Sequence, residues 1–148
     1  MAGLIPYAAP SVTRTAISWL RLYFGDGNAG ARRPSAANLP YRMVTPVSGT
    51  ETVERTQRCQ TVSVHTFAVD YDHAEYESDL THQRMLLLGP PYSAPQTVTI
   101  TFPNSTTQLV APRSITTAMV PTWADYEDDE IFRFVARYEI CVGFVANP

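Results

Sequence analysis

The sequence predicts an α+β fold, a two-layer sandwich in which a mostly antiparallel sheet carries two helices on one face. The first observation behind this is Ile131–Phe144. Phe132, Phe134, Ala136, Tyr138, Ile140, Val142 and Phe144 share one parity, and Ile131, Arg133, Val135, Arg137, Glu139, Cys141 and Gly143 share the other. Side chains alternate across a strand, so this segment buries one face and keeps charge on the other. The second observation is a pair of helix-period segments, one after Ser11 and one after Asp70. The third is that the remaining apolar runs alternate at strand period, so the helices have one sheet face to cover.

Each element follows from local chemistry. Pro6 and Pro10 deter helix, so residues 1–9 read as an extended N-terminal arm. Ser11 is a good N-cap, and Val12, Ala16, Trp19, Leu20 and Tyr23 follow at helical spacing. The Gly25–Gly30 segment stops this helix, and a loop runs on to Pro40. Tyr41–Val47 reads as a strand. Residues 48–60 read as a long polar connection holding Glu51, Glu54, Arg55 and Arg58, and loops of that length are usually functional or mobile. Thr61–Val69 reads as the next strand, with Val62 and Val64 opposite in parity to Ser63 and His65.

Asp70 or Asp72 can cap a second helix reaching about Leu88, where Gly89-Pro90-Pro91 ends it. Its inward stripe, Ala74, Ser78, Thr81, Met85 and Leu88, is apolar only in its last two turns. A Pro-rich turn covers 89–95. Gln96–Phe102 alternates Val98, Ile100 and Phe102 with threonines, and Pro103 opens a turn. A further strand or pair spans about Thr107–Val120, interrupted at Pro112. The last strand then closes the sheet, and one domain spans residues 1–148.

Composition bounds the function. Apolar residues make up 45% and aromatics 11%, as in a folded chain, while charged residues at 17% fall below the usual share of about 25%. Low charge suits a subunit that buries surface against neighbours. The formal net charge of −3 gives no basic footprint for nucleic acid. All 11 basic residues are arginine, which suits interfaces, although codon bias in a GC-rich genome gives the same pattern. Cys59 and Cys141 are far apart, with no basic start and apolar run of a signal peptide ahead of them, and read as free thiols. No apolar stretch nears the roughly 20 residues of a membrane span. The chain is expected to fold in a cytoplasm.

No catalytic, cofactor or metal site is predicted. His73 and His82 point to opposite sides of one helix, and His65 has no Cys or Glu in ligand spacing. Ser63 and His65 share a strand face with Asp70 and Asp72 nearby, but no strained elbow or oxyanion glycine pair accompanies Ser63. The acidic run Asp125, Asp128, Asp129, Glu130 lacks the alternating ligands and glycine of a calcium loop, and reads as a solvated loop or a patch facing a neighbour's arginines. Gly25, Gly27 and Gly30 match a dinucleotide-binding string but follow a helix instead of a strand. Trp123 and Tyr126 read as a lid over the core or as interface anchors, the lid favoured by their place just before the core strand.

Four motifs in order carry a family resemblance: the early helix Ser11–Leu20, the strand Leu39–Val44, Val62–Phe67 leading into an acidic-started helix, and Pro121–Tyr126 followed by Arg133–Ile140. Over residues 10–145 the chain resembles the tail terminator proteins of long-tailed (siphovirus-type) bacteriophages, particularly those of actinobacterial phages. The resemblance implies a non-enzymatic virion protein at the neck, or tail top, assembled in the host cytoplasm. It implies a hexameric ring that caps the tail tube, joins it to the head-closure or connector protein, and lets genomic DNA pass without sequence-specific binding. Six subunits at −3 each would carry −18, a charge that does not hold phosphate. Glu51, Glu54, Arg55 and Arg58 are then expected at subunit or tube contacts, with Trp123, Tyr126, Arg133 and Arg137 as further interface candidates. The final strand, or its polar face with Glu139, could pair with a neighbour. Residues 25–38 form a longer connection than the family fold needs, as a phage-specific contact arm would. The alternatives are another neck component, such as a head-closure or connector protein, and a small hydrolase using Ser63 and His65.

Overall fold

The computed structural model describes residues 3–35 and 38–147. Along the chain these form β1 (Tyr7–Ala8), α1 (Val12–Phe24), a 3-10 turn (Asp26–Asn28), β2 (Ala29–Gly30), β3 (Tyr41–Glu51) and β4 (Gln57–Ala68). Then come α2 (Tyr71–Leu86), β5 (Val98–Thr101), β6 (Thr107–Val110), β7 (Ser114–Ala124), β8 (Phe132–Gly143) and β9 (Val145–Ala146). The α+β class and the two-helix layer are as the sequence predicts.

The main sheet has the order β2-β3-β4-β8-β7, antiparallel except for the short β2–β3 pair. Two small ladders flank it: β1–β9, which ties the N-terminal arm to the C-terminal segment, and β5–β6. Pro112 falls between β6 and β7, where its missing N–H and fixed φ separate the two ladders.

Both helix starts form as their capping residues dictate. Ser11 Oγ accepts from the Arg14 N–H at 3.2 Å, and Asp70 Oδ1 accepts from the His73 N–H at 2.8 Å. Gly25 ends α1 at φ +101°, a conformation an L side chain rarely adopts.

The core lies between the helices and the even-numbered face of β8. Tyr138, Ile140 and Val142 are fully buried there with Val44, Val62 and Val64, against Val12, Ala16 and Leu20 of α1 and Met85 of α2. Val98, Ile100 and Val110 of the β5–β6 ladder join the same cluster. The helices lock at one point. Trp19 Nε1 donates to the Arg84 carbonyl at 2.7 Å, Arg84 Nη2 donates to the Trp19 carbonyl at 2.8 Å, and the guanidinium lies 3.3 Å from the Trp19 ring centroid.

The polar half of the α2 stripe is buried as well: Ala74, Ser78, Thr81 and Met85 are all inside. Ser78 and Thr81 donate to the Glu75 and Glu77 carbonyls, which removes the cost of burying their hydroxyls. Over this stripe lies Arg42, an almost wholly buried arginine. Its Nε donates to Thr81 Oγ1 at 3.0 Å, Nη2 pairs with Glu77 Oε2 at 2.5 Å, and its guanidinium lies 3.6 Å from the Phe24 ring centroid.

Four expectations need correction. Residues 48–60 are mostly strand, with only 52–56 left as a turn: β3 and β4 pair from Tyr41↔Phe67 out to Glu51↔Arg58, with a register shift between Pro46 and Ser48. Alternation is hidden there because both faces of the arm are polar, so the usual strand signal is missing. The cysteines are not free thiols. Cys59 and Cys141 stand opposite each other on β4 and β8 and form a disulfide. The final strand does not close the sheet at an edge. It lies between β4 and β7, so its backbone is paired on both sides and only its polar face can meet a neighbour. Residues 25–38 are not wholly irregular, since they include the 3-10 turn and β2; residues 36 and 37 of that stretch lie outside the described residues.

Two stability predictions follow from these contacts. Glu77→Ala strands a buried guanidinium and should cost about 3–5 kcal/mol in urea unfolding, whereas Arg42→Met with Glu77→Leu should cost much less. Equal losses in both would mean that packing, not charge pairing, is what Arg42 supplies. Because the bridge links residues 82 apart, reduction should lower stability by about 2–4 kcal/mol, read as a fall in the denaturant midpoint.

Candidate functional site

The predicted interface residues fall into two groups, one at each end of β4. The first is the outer end of the β3–β4 hairpin. Arg58 lies directly across from Glu51, donating to Glu51 Oε1 from Nε at 2.9 Å and from Nη2 at 2.6 Å. The turn beyond them is organised by Thr52. Its carbonyl accepts from the Arg55 N–H, and its Oγ1 accepts from the N–H groups of Thr56 at 3.0 Å and Gln57 at 3.2 Å. Arg55 sits at φ +59° at the tip, a left-handed conformation uncommon outside glycine and asparagine. Between Pro46 and Thr56 every residue except Thr52 is exposed, Val53 at 93%. One flank of the arm forms an open groove of about 560 Å³ lined by Val47, Gly49, Glu51 and Arg58 among others.

Of the second group, Tyr126, Arg133 and Arg137 lie towards the other end of β4 on the sheet face that the helices leave open, whereas Trp123, across from Phe134, lies on the helix side. Phe67 is buried on the open face beneath Tyr126, their rings meeting edge to face at 5.1 Å. The Arg33 guanidinium lies 5.4 Å from the Phe67 ring centroid and 5.7 Å from that of Tyr126; Arg133 lies 5.4 Å from Tyr126. Arg133 Nη2 also donates to the Asp125 carbonyl at 2.6 Å. Tyr126 therefore covers Phe67 on the open face, and is not the lid over the helix-side core that its position before the core strand suggests. Trp123 is not a lid either. It stands across from Phe134 on β7 and remains 47% exposed. Arg137, exposed on the same face as Arg133, donates from Nε to Ser63 Oγ at 3.2 Å. From Arg58 to Phe67 the strand advances roughly 30 Å at about 3.3 Å per residue, so the two groups do not meet within one subunit.

His65 lies between the arginines. Burial, with Arg133 and Arg137 adding like charge, holds its pKa down to about 4. Its Nε2 is 3.4 Å from Thr45 Oγ1, while Ser63 bonds to Arg137. Asp70 caps α2 and pairs with the His73 ring. Among the described residues, Ser63, His65 and Asp70 thus each have a different partner, and no hydrogen bond links them as a nucleophile–base set. The two helix histidines diverge, with His73 at the exposed N-terminus and His82 Nδ1 2.6 Å from the buried Tyr138 hydroxyl.

Sequence reading missed Arg33, which arrives from the irregular 25–38 connection with no periodic signal. It also missed the cross-strand cysteine pair. The parity of Cys59 with Ser63 and His65, and of Cys141 with Arg137, was the available clue. The chain matches no protein-family profile, and no curated protein is detectably similar to it in sequence.

The depressed His65 value predicts a pH effect of definite sign. The unfolded ring protonates near its ordinary 6.5 and the folded ring only near about 4, so the unfolded state binds more protons between these values. His65 should contribute its full stability above 6.5 and lose it as the pH falls from 6.5 towards 4. His65→Gln should flatten that part of the wild-type stability profile, measured by urea unfolding at pH 7.5 and pH 4.5. A profile as steep as wild type would assign the acid sensitivity to other groups.

Proposed function

We propose that the chain is a ring-forming structural protein of a long-tailed bacteriophage, a tail terminator that caps the tail tube and joins it to the head connector, and not an enzyme. The observation that carries this reading is the β3–β4 arm. Its β4 side is anchored on β8 from Gln57↔Gly143 to Gln60↔Ile140, while Pro46–Glu51 of β3 and the turn beyond it lie exposed and add little to the core of a lone subunit. The arm is nonetheless held by a strand-long ladder, a cross-strand ion pair and a hydroxyl-organised turn, and it ends in the exposed side chains of Val53, Glu54 and Arg55. Those features suit an element made to reach a neighbouring subunit or the tail tube.

The two-layer α+β architecture agrees with the family that the ordered motifs resemble. Low charge density and the exposed Trp123, Tyr7 and Leu4 suit a subunit that buries surface on assembly. A net-acidic ring is compatible with DNA passing through its lumen without retention. A different neck component, such as a head-closure protein, is the second reading. The two helices favour the terminator over it, since head-closure proteins are mostly β.

Electron microscopy of particles from a nonsense mutant lacking this chain tests the reading. Tails of uncontrolled length, unattached to DNA-filled heads, are expected. Tails of normal length beside heads that leak DNA would move the chain to the head side of the neck. In complementation, Glu54→Gln with Arg55→Asn should leave thermal unfolding unchanged, since asparagine accepts the tip conformation, and should reduce the yield of joined particles. Full rescue by this variant would remove the arm from the interface.

A further inference from the structure

On the open face of the sheet, Cys59, Cys141 and Glu139 bring their ligand atoms within 4.8 Å of one another. The topology dictates this. Cys59 and Cys141 are direct partners across β4 and β8, with Cα atoms 4.0 Å apart, and Glu139 is two residues from Cys141 and so on the same face. Their cross-strand neighbours there, Thr61 opposite Glu139 and Ser114 opposite Cys141, are short. Glu139 is exposed and Cys59 is partly exposed, so solvent reaches the cluster.

We propose that in its reduced form this cluster is a binding site for one soft divalent cation of the zinc class, held by the Cys59 and Cys141 thiolates and the Glu139 carboxylate, and that the disulfide is its closed, metal-free state. Two thiolates with a carboxylate are a zinc-type donor set, and solvent access leaves the fourth position to water. The strand pairing fixes the two Cα atoms, so opening the S–S bond leaves both sulfurs beside Glu139. Arg113 sits next to the cluster. Its Nη1 donates to Gln57 Oε1 at 3.1 Å, and its guanidinium covers Gly143, where an added Cβ would come within 2.7 Å of Nη2. That fixed positive charge favours thiolate over thiol. Two thiolates and a carboxylate sum to −3, a divalent ion brings this to −1, and Arg113 balances it.

The chemistry balances with a dithiol reductant. Two electrons and two protons pass from the dithiol to the Cys59–Cys141 bond, giving two protein thiols and one oxidised, cyclic reductant. Metal binding then releases the two thiol protons. The site lies on the open face at the base of the arm, one residue from Arg58, and its test does not depend on any role in a virion.

The test uses the full chain reduced with dithiothreitol, freed of it by anaerobic gel filtration, and titrated with Co²⁺ and then Zn²⁺ as chlorides. The expected result is a thiolate-to-cobalt charge-transfer band that saturates at one ion per chain and is abolished by Zn²⁺. The unreduced protein should show no band. Glu139→Gln, an exposed substitution that leaves the strand pairing intact, should weaken the affinity roughly tenfold or more. Absence of the band in reduced protein that retains its circular dichroism spectrum would overturn the proposal. So would saturation at half an ion per chain, with thiolates drawn from two copies, or an unchanged affinity in Glu139→Gln.

Discussion

The pairing of β4 with β8 is the constraint on which the rest of the structure depends. It runs without a register shift from Gln57↔Gly143 to Ala68↔Phe132, joining the first half of the chain to its last long strand. Closing so long a loop costs entropy before any contact rewards it, and burial of Tyr138, Ile140 and Val142 against Val62 and Val64 offsets that cost. A slip of one residue would turn this apolar set to the open face and bring Arg137 and Glu139 into the core. The disulfide stands near one end of the same ladder. β3 on one side and β7 on the other inherit their positions from it, as does the direction in which the β3–β4 arm leaves the sheet.

What could be read from the sequence follows the same physics. β8 was legible because one of its faces is apolar and the other charged, and the helices because Ser11 and Asp70 announce their starts. The α2 stripe was legible in position although half of it is hydroxyl, since helical spacing places Ser78 and Thr81 inward whatever their polarity. The arm was misread because a strand polar on both faces has no alternation to reveal it. The cysteine pair was misread because sequence distance says nothing of cross-strand register. Of the eight candidate interface residues, the tip group was gathered by chain proximity alone. Recognising the Tyr126 group required knowing that Arg33, from an irregular segment, folds back over Phe67.

The two sheet faces use arginine in opposite ways. Arg42 is buried under α2, where Glu77, Thr81 and the Phe24 ring compensate a charge that would otherwise be costly. Arg33, Arg133 and Arg137 lie on the open face, where their contacts are rings, a carbonyl and a hydroxyl, with no carboxylate paired to them among the described residues. The first is a structural device that fixes how α2 sits on the sheet. The others concentrate positive charge at one end of the open face, and His65 stays neutral there chiefly because burial disfavours its charged form, with Arg133 and Arg137 adding like charge.

This asymmetry bears on how copies would associate under the proposed role. The exposed arm tip and the arginine face differ in chemistry and lie at opposite ends of β4. A two-fold contact joins like patches, each meeting its own image. Two unlike patches at opposite ends of one rigid strand suit instead a head-to-tail contact, in which the arm of one subunit reaches the body of the next. Such a contact closes into a ring when the rotation per step divides a full turn, and otherwise runs on as a filament. Because the arm's direction is set by β4, and β4 is clamped to β8, the rotation per step would be fixed by the core itself and not by a flexible loop. A ladder-stiffened arm can hold a defined ring number where a mobile 48–60 loop could not.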